Sequence, residues 1–139
     1  MTVNQGALVE TLIQLSDFRQ YGMAESLLAA CERAQLEQLL LISDRAFNQR
    51  LVYSLERQLK RSREATYKPR GSLLAVLVGI FNRWCNEGHR PAIRCVSGEL
   101  KRECLAALMR LPELDREVYS MMREFSLPEE STTSCGCSY

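Results

Sequence analysis

The sequence predicts an all-α fold, a compact bundle of six or seven helices around a central hydrophobic helix at about 72–87. Three observations point there. The stretch Gly71 to Gly88, GSLLAVLVGIFNRWCNEG, is nearly continuous in apolar residues, and its span of about fifteen residues suits a helix better than one strand. Most of the remaining chain repeats apolar residues at spacings of three and four, the mark of amphipathic helices. Finally, no pair of alternating segments flanks a hairpin turn, so nothing argues for a sheet.

Taken in order, Gly6 to Arg19 carries Leu8, Leu12, Leu15 and Phe18 on one face and predicts the first helix. Tyr21 and Gly22 are expected to break it. A second helix is expected from Met23 to Gln35 through Met23, Leu27, Leu28, Cys31 and Ala34, antiparallel to the first because the connection is so short. Leu36 to Arg63 reads as one long helix or as two with a kink near Ser43; the apolar stripe drifts there, which favours the kink. Phe47, Leu51, Leu55 and Leu59 then recur every four residues. Pro69 biases Lys68 away from helix, so the end of this basic segment should be an exposed loop.

Ser72 is the expected N-cap of the hydrophobic helix and Gly88 its C-terminal stop. His89 to Ser97, with Pro91, is expected to be a loop, and Glu99 to Arg110 a helix introduced by Ser97 and Gly98, with Leu100, Cys104, Leu105 and Leu108 inward. Pro112 opens the last helix at its first turn, and Glu113, Asp115 and Glu117 suit that end of the dipole. Residues 1–127 are thus expected to form a single helical domain, and 128–139, which lack periodicity, a flexible tail.

Composition excludes several classes. The uninterrupted apolar run is about half of the ~20 residues that a membrane span needs, and Asn82 and Arg83 follow it, so no membrane partner is expected. The first nine residues lack the basic and apolar regions of a signal peptide, which predicts a cytoplasmic protein with reduced thiols. Catalysis finds little footing: His89 is the only histidine, and neither a nucleophile elbow nor a phosphate-cradling glycine loop is present. No catalytic residue, cofactor or metal site is assigned.

The net charge of +1 conceals a segregation of charge along the chain. Residues 1–56 carry four Arg against seven acids, 57–102 carry eleven basic residues against three acids, and 103–139 carry three Arg against seven acids. A basic middle between acidic flanks either serves an anionic partner or is neutralised within the fold.

Two cysteine sets carry potential chemistry. Cys85, His89, Cys95 and Cys104 include zinc-ligand types, but their spacing lacks the close cysteine pair of structural sites. Cys31, Cys85 and Cys104 fall at apolar helical positions, where cysteine behaves as a small hydrophobe. Cys135-Gly136-Cys137 offers two accessible thiols for a soft metal, redox pairing or modification. A prenylation box fails because the fourth residue from the end is Gly136. The Ser, Thr and Cys of the tail also look like the core of a lanthionine-type precursor, behind an unusually long leader.

Leu108 to Phe125, LMRLPELDREVYSMMREF, resembles the first helix of the C-terminal promoter-reading domain of bacterial sigma factors, notably at Leu111-Pro112 and Arg116-Glu117-Val118. The resemblance covers 18 of 139 residues. The helix-turn-helix that reads DNA in that family would come next, whereas this chain runs into Pro128 and an acidic, small-residue tail, so no function is carried across.

The sequence therefore predicts a non-enzymatic regulatory, adaptor or assembly protein that binds a protein partner or a second copy of itself. The alternative is a nucleic-acid-binding protein using the basic segment 57–102. In that reading Arg57, Lys60, Arg61, Arg63, Lys68 and Arg70 track phosphates and Tyr67 stacks on a base, with Arg83, Arg90, Arg94, Lys101 and Arg102 extending the patch.

Overall fold

A computed structural model describes residues 3–87 and 93–111, with the side chains of 93–99 and 101 left aside. The described chain is all-helical, with six helices: α1 (Gln5–Asp17), α2 (Tyr21–Ala29), α3 (Arg33–Ala46), α4 (Gln49–Ser62), α5 (Gly71–Asn86) and α6 (Ile93–Leu108). None of them is long and apolar enough to cross a membrane. The chain divides into two compact units, Met1–Val78 and Gly79–Tyr139, with the boundary inside α5.

In the first unit α1 packs on α2 and α3, and α4 packs on the same two helices, so the four form a closed ring. Each contributes a leucine-rich stripe: Leu8, Leu12 and Leu15 from α1; Leu27 and Leu28 from α2; Leu36 and Leu39 from α3; Leu51, Leu55 and Leu59 from α4. Full burial of each such side chain is worth about 1.5–3 kcal/mol against leaving it in water. These helix pairings make α1–α4 a close-packed assembly.

Helix ends explain where the boundaries depart from expectation. The turn after α1 lies at Arg19, whose φ of 59° is left-handed. The N–H of Gln20 bonds to the Leu15 carbonyl at 2.8 Å and that of Arg19 to Ser16 at 2.9 Å, the paired bonds of a Schellman stop. Tyr21 and Gly22, expected to be the break, are the first residues of α2. The expected single helix from Met23 to Gln35 is interrupted instead at Ala30–Glu32. Glu32 is extended, and its N–H is accepted by Gln35 Oε1 at 2.9 Å, which starts α3 afresh.

The break between α3 and α4 falls at Phe47–Asn48, four residues beyond the expected kink at Ser43. Ser43 stays helical, its hydroxyl donating back to Leu40 O within the same helix. Asn48 supplies the cap: its Oδ1 accepts the Leu51 N–H at 2.8 Å. Its Nδ2 donates to Ser16 Oγ, at the end of α1, and to the Tyr21 hydroxyl at 3.1 Å, at the start of α2. One side chain thereby ties three helices together.

The start of α5 is two residues earlier than a Ser72 cap would place it, with Arg70 O accepting the Leu74 N–H at 3.0 Å. Leu73, Leu74, Leu77, Val78, Ile80, Phe81 and Trp84 are buried. Ser72, Gly79, Arg83 and Asn86 are exposed and fall on one narrow strip of the helix.

In the second unit, α6 begins at Ile93 and not at Glu99, so much of the expected loop is helical and Gly98 is interior. A mid-helix glycine costs about 1 kcal/mol against alanine. That is small beside the burial of Leu100, Cys104 and Leu108 at successive spacings of four. Glu103 of α6 joins this helix to the last turns of α5: it accepts the Trp84 Nε1–H and pairs with Arg83 Nη2 at 2.5 Å. The segment beginning at Pro112, including the tail, lies outside the described residues, as does nearly all of the stretch resembling a sigma-factor helix.

Candidate nucleic-acid interface

The apolar stripe of α4 leaves the opposite side of the helix to charged residues. With Leu51, Leu55 and Leu59 inward, Arg50, Tyr53, Arg57 and Arg61 follow one another at spacings of three, four and four and make one row. The row spans about 16 Å at 1.5 Å per residue. All four are exposed, with Lys60 beside them and Arg63 just past the helix end.

Residues 49–70 hold seven basic side chains against Glu56 and Glu64. Ion pairs at the described residues join Arg33 to Glu37, and Arg83 to Glu87 and Glu103. Among the described residues, Arg50, Arg57, Lys60, Arg61, Arg63 and Lys68 have no ion-pair partner. Two of the arginines instead lie over aromatic rings, Arg50 at 4.4 Å from the Tyr21 centroid and Arg57 at 5.7 Å from that of Tyr53.

The expected site residues divide by environment. Arg57, Lys60, Arg61, Arg63 and Lys68 are exposed on α4 and the loop after it; Arg70 is half-buried at the loop's end. Tyr67 is half-buried, and its hydroxyl donates to Cys31 O at 2.6 Å, with Ala29 O at 3.3 Å. Burial raises its phenol above the ordinary range, while the Gln58 side chain and the Arg61 charge pull the other way. Tyr67 is thus a tether, fastening the basic loop to the turn between α2 and α3.

Sequence reasoning overlooked Arg50 and Tyr53. The signal was available: with Leu51, Leu55 and Leu59 inward, both must lie on the outer face with Arg57 and Arg61.

Of the other candidates, Cys104 is buried and Cys85 half-buried. Burial pushes the Cys104 thiol up to about 12, reinforced by Glu103 and opposed by Arg83. His89, Cys135 and Cys137 lie outside the described residues, as does the side chain of Cys95. Among the described residues no three His, Cys, Asp or Glu side chains are placed to share a metal ion.

The fold and this face together define a small all-helical protein with a basic, tyrosine-bearing helix surface. Comparison with protein-family models, curated proteins and solved structures finds no match.

Proposed function

We propose that this is a non-catalytic binding protein whose ligand is nucleic acid, held on the outer face of α4. The observation that carries the reading is the row Arg50, Arg57 and Arg61 with Lys60, Arg63 and Lys68, exposed and without ion pairs among the described residues. Cations left unpaired in the fold are available to displace counterions from phosphates, which is the main source of sequence-independent affinity.

Titration of the full chain with labelled mixed-sequence oligonucleotides, at about 50 and 200 mM salt, tests it. Binding should weaken steeply with salt. Arg57→Glu with Arg61→Glu should lower affinity at least about tenfold and flatten the salt slope by about two. Both side chains are exposed, and Arg61 lies in the last turn of α4 where a carboxylate opposes the helix dipole, so the unfolding free energy should fall by no more than about 1 kcal/mol. Absence of binding at the lower salt, or binding indifferent to the double reversal, overturns the reading.

A protein partner, for a regulator, adaptor or assembly factor, is the second reading, and α3 favours it. Leu41 is 80% exposed there beside the less exposed Leu40. If that pair is the contact, Leu41→Glu removes association with the partner, or self-association measured by sedimentation, and leaves nucleic-acid affinity as it was.

A further inference from the structure

We infer that the nucleic acid bound by α4 is single-stranded, and that Tyr53 is the residue that stacks on a base. The inference rests on the nucleic-acid reading above and adds the form of the ligand.

Three tyrosines lie among the described residues, and the fold has engaged two of them. Tyr21 is half-buried, takes a hydrogen bond from Asn48 on its hydroxyl and lies close under Arg50. Tyr67 is held by the carbonyls of Cys31 and Ala29. Tyr53 is 60% exposed and makes no hydrogen bond among the described residues. The Arg57 guanidinium lies over its ring near the outer limit of a cation–π contact, and the residue stays largely exposed.

Its place in the row matters as much as its exposure. Arg50 precedes it by three residues and Arg57 and Arg61 follow at four and eight, so cations flank the ring along the helix. Phosphates tracked on both sides would hold the intervening nucleotide over the ring. A duplex offers this face only its phosphates, since its base planes are already stacked on one another. In a single strand the base planes are free, and stacking on an aromatic side chain adds affinity with little dependence on sequence.

The test measures dissociation constants of the full chain for a mixed-sequence single strand, as DNA and as RNA, and for the DNA duplex of equal length. Wild type, Tyr53→Ala and Tyr53→Phe are compared, with helicity checked by circular dichroism. Wild type should prefer the single strands. Tyr53→Ala should weaken single-strand binding about fivefold or more at an unchanged salt slope and leave duplex affinity alone. Tyr53→Phe keeps the ring and should bind like wild type. Equal or tighter binding of the duplex, or single-strand affinity indifferent to Tyr53→Ala, overturns this inference while the charge-reversal result leaves nucleic-acid binding standing. Failure to bind either form overturns both.

Discussion

Cys31 shows how far one side chain can be read in advance. Its place among leucines predicts a buried thiol, and it is fully buried, with Sγ–H donating to Leu27 O at 3.2 Å. Desolvation raises the thiol from 9.0 to about 12. Because the folded value lies above the unfolded one, the protonated thiol is the form that the fold keeps. No stability is lost below pH 9; between about 9 and 12 the unfolded chain ionises while the folded one does not. Stability should therefore fall with rising pH in that window, by up to about 1.4 kcal/mol per pH unit from this group. Urea unfolding at pH 7.5 and 10.5 checks it, with Cys31→Ala losing less than wild type between the two. Tyr67 was legible only in part. Its basic neighbours suggested a stacking group, but a phenol that reaches the carbonyls of residues 36 and 38 positions away depends on tertiary geometry that no local pattern encodes.

Helix existence was read from the sequence more securely than helix ends. The four-residue repeat of Leu51, Leu55 and Leu59 is strong enough to define α4 and, by subtraction, its outer face. Ends depend on a few hydrogen bonds, and here several are made by residues with little advance signal. Arg19 takes the left-handed position after α1, where glycine is the usual occupant, whereas the nearby Gly22 lies inside α2. The Cβ of an L-residue in that conformation costs about 1 kcal/mol. Arg19→Gly should accordingly raise stability by about 0.5–1 kcal/mol, measured by denaturant unfolding, with the Gln20 and Ser16 bonds of the stop retained. Glycine replacements that lower stability would show that the arginine side chain contributes more than its backbone costs. The same local blindness hid the early start of α6, since Ser97 and Gly98 carry the marks of a helix beginning yet lie within one.

At the scale of the molecule, the all-helical class followed from periodicity, and the segregation of charge along the chain gave the first hint of a basic surface. The division into two compact units did not show. Unit boundaries are usually read from polar linkers, and this one falls between Val78 and Gly79 in the most apolar stretch of the sequence. Neither did the ring of α1–α4, because its closure relies on Asn48, an ordinary polar residue until its partners are placed. The carboxamide joins residues 32 and 27 positions apart through Nδ2 and caps its own helix through Oδ1. Asn48→Ala loses all three bonds and should destabilise by about 2–3 kcal/mol. Asn48→Ser keeps a capping acceptor for Leu51 on a side chain too short for the two distant partners, so the pair of variants separates local from long-range order in time. If the first turn of α4 forms before the ring closes, stopped-flow kinetics will show Asn48→Ala slowing refolding, while Asn48→Ser refolds at the wild-type rate and unfolds faster. A slower refolding Asn48→Ser would mean that the ends of α1 and α2 must already be in place at the rate-limiting step, making this junction the nucleus from which the first unit folds.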